Sequence, residues 1–128
     1  MDGFKVKPID EMATAGIAKL AGAELGVESF GIQVFDFPPD FPDYPEHDHS
    51  REGMEEVYVV LRGSAEFEID GERVPVDRER MLWVGADTRR KLLPGPDGVR
   101  ILAIGASPGK PYERPEGLSL PAQPDSSR

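Results

Sequence analysis

The chain contains two histidines, and they stand two residues apart in Pro45-Glu46-His47-Asp48-His49. In an extended segment, alternate side chains point to the same face. This spacing therefore lets both imidazoles be presented together. Glu56 then opens an apolar run, Val57-Tyr58-Val59-Val60-Leu61. If that run is a strand lying beside the histidine segment, its carboxylate can reach the same point. Two imidazoles and one carboxylate are the donor set of a facial triad, which leaves positions open on an octahedral metal. Open positions are what a catalytic metal needs for dioxygen or substrate. The plainer reading of the same residues is two surface histidines on a proline-rich loop and a carboxylate at a strand start.

Composition narrows the chemistry further. The chain has 128 residues and no cysteine, so disulfides, thiolate-bound zinc, iron–sulfur clusters and thiol nucleophiles are excluded. With two histidines, a three-histidine metal site within one chain is excluded as well. Acidic residues number 24 against 15 basic ones, a net charge of −9. Such a chain is a poor partner for nucleic acid and for anionic membranes. No apolar run is long enough for a membrane helix. Met1-Asp2-Gly3-Phe4-Lys5 lacks the basic and apolar regions of a secretory signal, so a cytoplasmic protein is the expectation. There is no Gly-x-Ser-x-Gly, no phosphate-binding loop and no dinucleotide-type glycine pattern. Serine hydrolases, nucleotide hydrolases and Rossmann dehydrogenases are disfavoured accordingly.

The elements that must position the triad are short strands between Gly and Pro turns. A helix is expected over 10–25, from Ala13, Ile17, Leu20 and Ala21 at helical spacing, with Gly26 just past its end. Phe30, Ile32 and Val34 then alternate with Gly31 and Gln33 as a strand. Residues 38–45 hold four prolines and form an extended loop, in which Phe41 and Tyr44 can anchor the chain or cover a pocket. Glu56 to Leu61 is a strand, with Arg62-Gly63-Ser64 as a turn. Ala65, Phe67 and Ile69 alternate with acidic residues, and Asp70-Gly71 predicts a type I′ hairpin. Further strands are expected at 73–76, 81–84, 88–93 and 99–104, with 94–98 as a turn. Trp83 is expected in the core. This spacing of strands predicts an all-β sandwich or barrel.

The order His47-x-His49, a gap, Glu56, six residues and Gly63 resembles the first conserved motif of the cupin superfamily. The resemblance covers about 28–106. It implies a cupin-type jelly-roll barrel, a double-stranded β-helix, with a divalent metal such as Fe, Mn, Ni or Zn in its lumen held by His47, His49 and Glu56. It divides the chain into a short N-terminal helix or arm over 1–26, the barrel over 27–107 and a Pro-rich tail over 108–128, and it implies a homodimer. Three departures matter, the first being Phe41 where the family often has a Gly six residues before the first His. The gap between His49 and Glu56 holds six residues and must bulge as a loop. The second cupin motif aligns best with Arg78, Val84, Ala86, Arg89 and Leu93, none of which matches, and Arg90 is one slip away.

The family's fourth ligand position thus falls on an arginine, which has five donors and no acceptor and cannot bind a metal. Two functions stay open. In one, a metal-dependent cupin of dioxygenase or isomerase type acts on a small organic acid steered by Arg89 or Arg90, with Tyr58 lining the lumen. In the other, a metal-free module binds a small anion through Arg89 and the two histidines. A purely structural domain with an ion-paired lumen is a third, weaker alternative.

Overall fold

Two long strands organise the fold. A computed structural model of the chain describes residues 3–41 and 44–120. Pro42 and Asp43 of the proline-rich loop, and Pro121 and Pro124 of the tail, lie outside the described residues. The strands are β1 (Thr14–Ala15), β2 (Ala18–Lys19), β3 (Gly31–Phe37), β4 (Glu55–Ile69), β5 (Glu72–Val76), β6 (Leu82–Val84) and β7 (Lys91–Ala106). All pair antiparallel in one sheet of order β1-β2-β3-β7-β4-β5, with β6 on the free side of β4. Inward residues of β3 to β7 share one apolar core: Phe37, Tyr58, Val60, Ala65, Phe67, Val76, Val84, Leu92, Val99, Ile101 and Ala103. A single sheet surrounds its own core only by rolling up, so the all-β barrel expected from the strand spacing is what forms.

The roll is made at a corner that the sequence suggests as two turns. β4 runs unbroken through Arg62-Gly63-Ser64, and β7 runs unbroken through Pro94–Gly98. The two strands pair from Glu55↔Ala106 to Glu68↔Lys91, with register shifts between Val60 and Arg62 and between Gly63 and Ala65. Extra residues on one strand bend it and raise its twist without ending the pairing. Gly63 has φ 80°, and a Cβ there would come within 2.2 Å of the Gly98 carbonyl oxygen. Only glycine permits that conformation and that approach. The hairpin at Asp70-Gly71 forms as expected, with φ of 52° and 81° at its two central residues.

The expected 10–25 helix is replaced over most of its length. A hairpin of β1 and β2 turns at Gly16, where φ is 61°; Ile9–Glu11 is a single 3-10 turn, and only Ala21–Leu25 is α-helical (α1), ending at Gly26. Two glycines weaken the helix, and β2 gains a partner instead: Ala18 pairs with Phe35 and Lys19 with Val34. Met12 and Ala21 cover Val34 on the outer face of β3. Trp83 is 62% exposed and outside the core, because Leu82 and Val84 take the inward positions of β6. Its indole N–H donates to Glu55, on the face opposite Glu56. Residues 108–120 do not trail away from the barrel. They fold back over its open end, where Arg114 donates to the carbonyls of Gly22 and Val27 and Tyr112 packs on Gly31.

Candidate metal centre

Residue size along the inward face of β7 decides where space opens. Ile101, Ala103 and Gly105 face into the barrel in turn. In register, Phe35–Ile101–Val60 is followed by Gln33–Ala103–Tyr58 and then by Gly31–Gly105–Glu56. The middle strand loses bulk at each step; Glu56 and Met54 lean over Gly105, and a cavity of about 640 Å³ lies along this wall. Its wall includes His47, His49, Glu56 and Tyr58 on one side and Gln33 and Phe35 on the other. The segment Ser107–Leu118 closes it with Lys110, Pro111, Tyr112, Glu113 and Pro115.

The histidine segment joins the barrel by short backbone links. His47 and Arg90 exchange N–H···O bonds of 3.0 and 2.9 Å, and the His49 N–H donates to the Ala86 carbonyl at 2.9 Å. Both imidazoles therefore reach Glu56, which stands at the start of β4. One ligating atom from each of His47, His49 and Glu56 lies within 4.8 Å of the other two. His49 Nε2 is 3.1 Å, and His47 Nε2 4.0 Å, from Glu56 Oε1. Cis donors on a metal with bonds of about 2.1 Å lie about 3 Å apart, so the set is of the right size for one ion.

The outer contacts fix the orientation of the rings. His49 Nδ1 is 2.7 Å from Glu52 Oε1, and His47 Nδ1 is 3.4 Å from the Pro45 carbonyl. A proton held at Nδ1 by an acceptor turns Nε2 of the neutral ring toward the grouped donors, and a metal there would displace any proton on Nε2. His49 Nε2 is buried and, although close to Glu56, is not aligned for a hydrogen bond with any protein group. That orphaned nitrogen is what a metal would satisfy. Proximity to the Glu56 carboxylate, opposed by burial and aided by Glu52, raises the His49 pKa. Burial pushes Glu56 up, but His47, His49 and the donating Tyr58 hydroxyl outweigh it and hold the carboxyl well below its usual range. Burial, then the charge of Glu56, keeps Tyr58 protonated as that donor.

Of the residues anticipated from sequence, the structure gathers His47, His49, Glu56 and Tyr58. It separates the two arginines. Arg90 is fully buried behind the triad, with Nη2 at 3.7 Å from Glu56 Oε1 and Nε and Nη1 without protein partners. Arg89 does not reach the cavity. It is exposed outside and lies 3.6 Å from both Glu46 and Asp48. Sequence reasoning missed Glu52, Gln33 and the 107–118 segment. Glu52 sits in the long His49–Glu56 gap, and its i, i+3 spacing from His49 was the available signal.

A cupin protein from Bacteroides fragilis superposes with a TM-score of 0.64 at 19% identity, over 96% of this chain and 99% of that one. This is a cupin fold. A second cupin, the RmlC-like protein of Desulfovibrio desulfuricans, is 29% identical with a TM-score of 0.54, over 62% of this chain and 73% of that one. KdgF from Halomonas sp. has a TM-score of 0.51 at 18% identity, over 60% and 68% of the two chains. No family model and no curated protein matches the sequence. The first-motif positions of the cupins, His47, His49 and Glu56, are the grouped donors of this structure, and Gly63 is its corner.

Proposed function

We propose that this cupin binds a divalent metal through His47, His49 and Glu56 and presents it to a small organic acid in the cavity. The observation that carries the reading is the lone, buried Nε2 of His49, oriented by Glu52 and set beside His47 and Glu56. A bound ion would supply a Lewis acid with open positions for a substrate oxygen. The chain's own groups do the rest. Tyr58 fixes the Glu56 carboxylate, Glu52 fixes the His49 ring, and the apolar wall of Phe35, Ala103 and Leu118 excludes water from the bound molecule.

Arg90 supports a second reading. A divalent ion held by Glu56 would be repelled by the neighbouring guanidinium, by several kcal/mol at an effective dielectric near 20. Without a metal, Arg90 and the histidines neutralise Glu56, and the cavity holds a small anion at the imidazoles. Elemental analysis of untagged protein distinguishes the two. The metal reading expects about one ion per chain in the wild type and none in His49→Ala, with a higher Tm after adding Mn or Zn to chelated protein. No metal and no Tm response would leave the anion-binding reading.

A further inference from the structure

Gln33 is the one inward polar residue of β3 that lines the cavity, between Gly31 and Phe35. It is 5% exposed, and neither Oε1 nor Nε2 has a protein partner. A buried amide group left without partners is destabilising. A side chain that only packs would be apolar here, as Phe35 is.

Gln33 stands directly across the sheet from the triad strand. Its row is Gln33–Ala103–Tyr58, and the adjoining row is Gly31–Gly105–Glu56. Neighbouring strands are about 4.8 Å apart, so the two outer strands of each row are separated by about 10 Å. The middle residues are alanine and glycine: Glu56 Cγ and Met54 Sδ pack against Gly105, each 3.1 Å from where its Cβ would stand, and the cavity runs on along Ala103 toward Gln33. Tyr112 closes it from above, with its hydroxyl 3.0 Å from where a Gly31 Cβ would stand.

We propose that Gln33 is a specificity residue of a second subsite, opposite the metal centre, that takes a neutral group carrying both a hydrogen-bond donor and an acceptor. The proposal deepens the reading of the triad as the metal-bound end of the same cavity. A carboxylate would pair with Nε2 and leave Oε1 bare, and an ammonium group would do the reverse. A carboxamide or a pair of adjacent hydroxyls satisfies both atoms. The substrate class is therefore a small acid whose far end is an amide or a diol.

Four-carbon probes sharing one carboxylate test this: butyrate, succinate, succinamate and 3,4-dihydroxybutyrate, titrated into zinc-loaded protein. The expected result is that succinamate or the dihydroxy acid binds at least tenfold tighter than butyrate and succinate. Which of the two wins tells amide from diol. Gln33→Leu should erase the preference while keeping butyrate affinity within about twofold and zinc content unchanged. Gln33→Met, which keeps the length and removes both the donor and the acceptor, should also erase it, and serves if the leucine variant misfolds. Equal binding of all four probes, or a preference that survives both substitutions, overturns the proposal. Side-chain amide NMR reads the subsite without any metal. The Gln33 NH2 signal of chelated protein should move with the preferred probe, and a signal unmoved by every probe means that Gln33 meets water only. A moved signal in a protein that never binds zinc would sink the metal reading and keep the subsite.

Discussion

Glu52 Oε1 stands 2.7 Å from Nδ1 of His49, three residues earlier in the chain. The loop that carries this contact is the stretch by which the chain exceeds the usual cupin gap. The extra length thus supplies the acceptor that orients the His49 ring. Removing such an outer-shell partner costs about 10–100-fold in metal affinity. Glu52→Ala should weaken zinc or manganese binding by that factor. Glu52 is half exposed, so Tm of the chelated protein should hardly change. Isothermal titration together with a melt would check both parts.

Arg90 predicts an opposite effect on the same constant. Replacing it by methionine removes a positive charge 3.7 Å from Glu56 Oε1. Zinc affinity of Arg90→Met should rise at least tenfold. The chelated variant should be less stable by on the order of 3 kcal/mol, because one partner of a buried charge pair is gone. Added zinc should restore Tm. A destabilised variant that zinc cannot rescue would favour the metal-free reading.

The triad was legible in the sequence because each member obeys strand parity. His47 and His49 are two apart, and Glu56 shares its face with Tyr58 and Val60. Arg89 and Arg90 were not separable, since a slip of one residue exchanges the two faces of a strand. Only the His47–Arg90 pairing tells them apart. Gln33 was hidden for a related reason. Both faces of β3 are covered, Val34 by Met12 and Ala21 and Phe37 by the barrel core, so alternation cannot say which face looks inward. Residues 108–120 resemble a tail by their prolines, and what holds them is Arg114 reaching carbonyls 87 and 92 residues away.

The corner at Gly63 makes a prediction about stability alone. Gly63→Ala would force a Cβ to within 2.2 Å of the Gly98 carbonyl oxygen at a φ of 80°. Strain and displacement together should cost about 3 kcal/mol or more. Denaturant unfolding would measure it. Gly117→Ala, where a Cβ meets nothing, is the matched control.

The N-terminal arm should release in acid. Asp10 is held below its ordinary 3.8 by the hydrogen bond and charge of Arg100. Glu24 is held below its ordinary 4.5 by hydrogen bonds from Lys7 and the Ala13 N–H. Both carboxyls have depressed values in the folded state, so their contribution is present above about pH 4.5 and lost as pH falls through the folded values. Limited proteolysis at pH 7 and at pH 3 should find the arm protected at the first and cleaved ahead of the barrel at the second. In Asp10→Asn, cleavage should begin at a higher pH.

Anomalous diffraction from crystals grown with manganese or zinc bears most directly on the metal centre. One peak should lie about 2.0–2.3 Å from Nε2 of His47, Nε2 of His49 and a carboxylate oxygen of Glu56. Clean density there, with the Arg90 guanidinium closed onto Glu56 and no anomalous signal, would contradict the account.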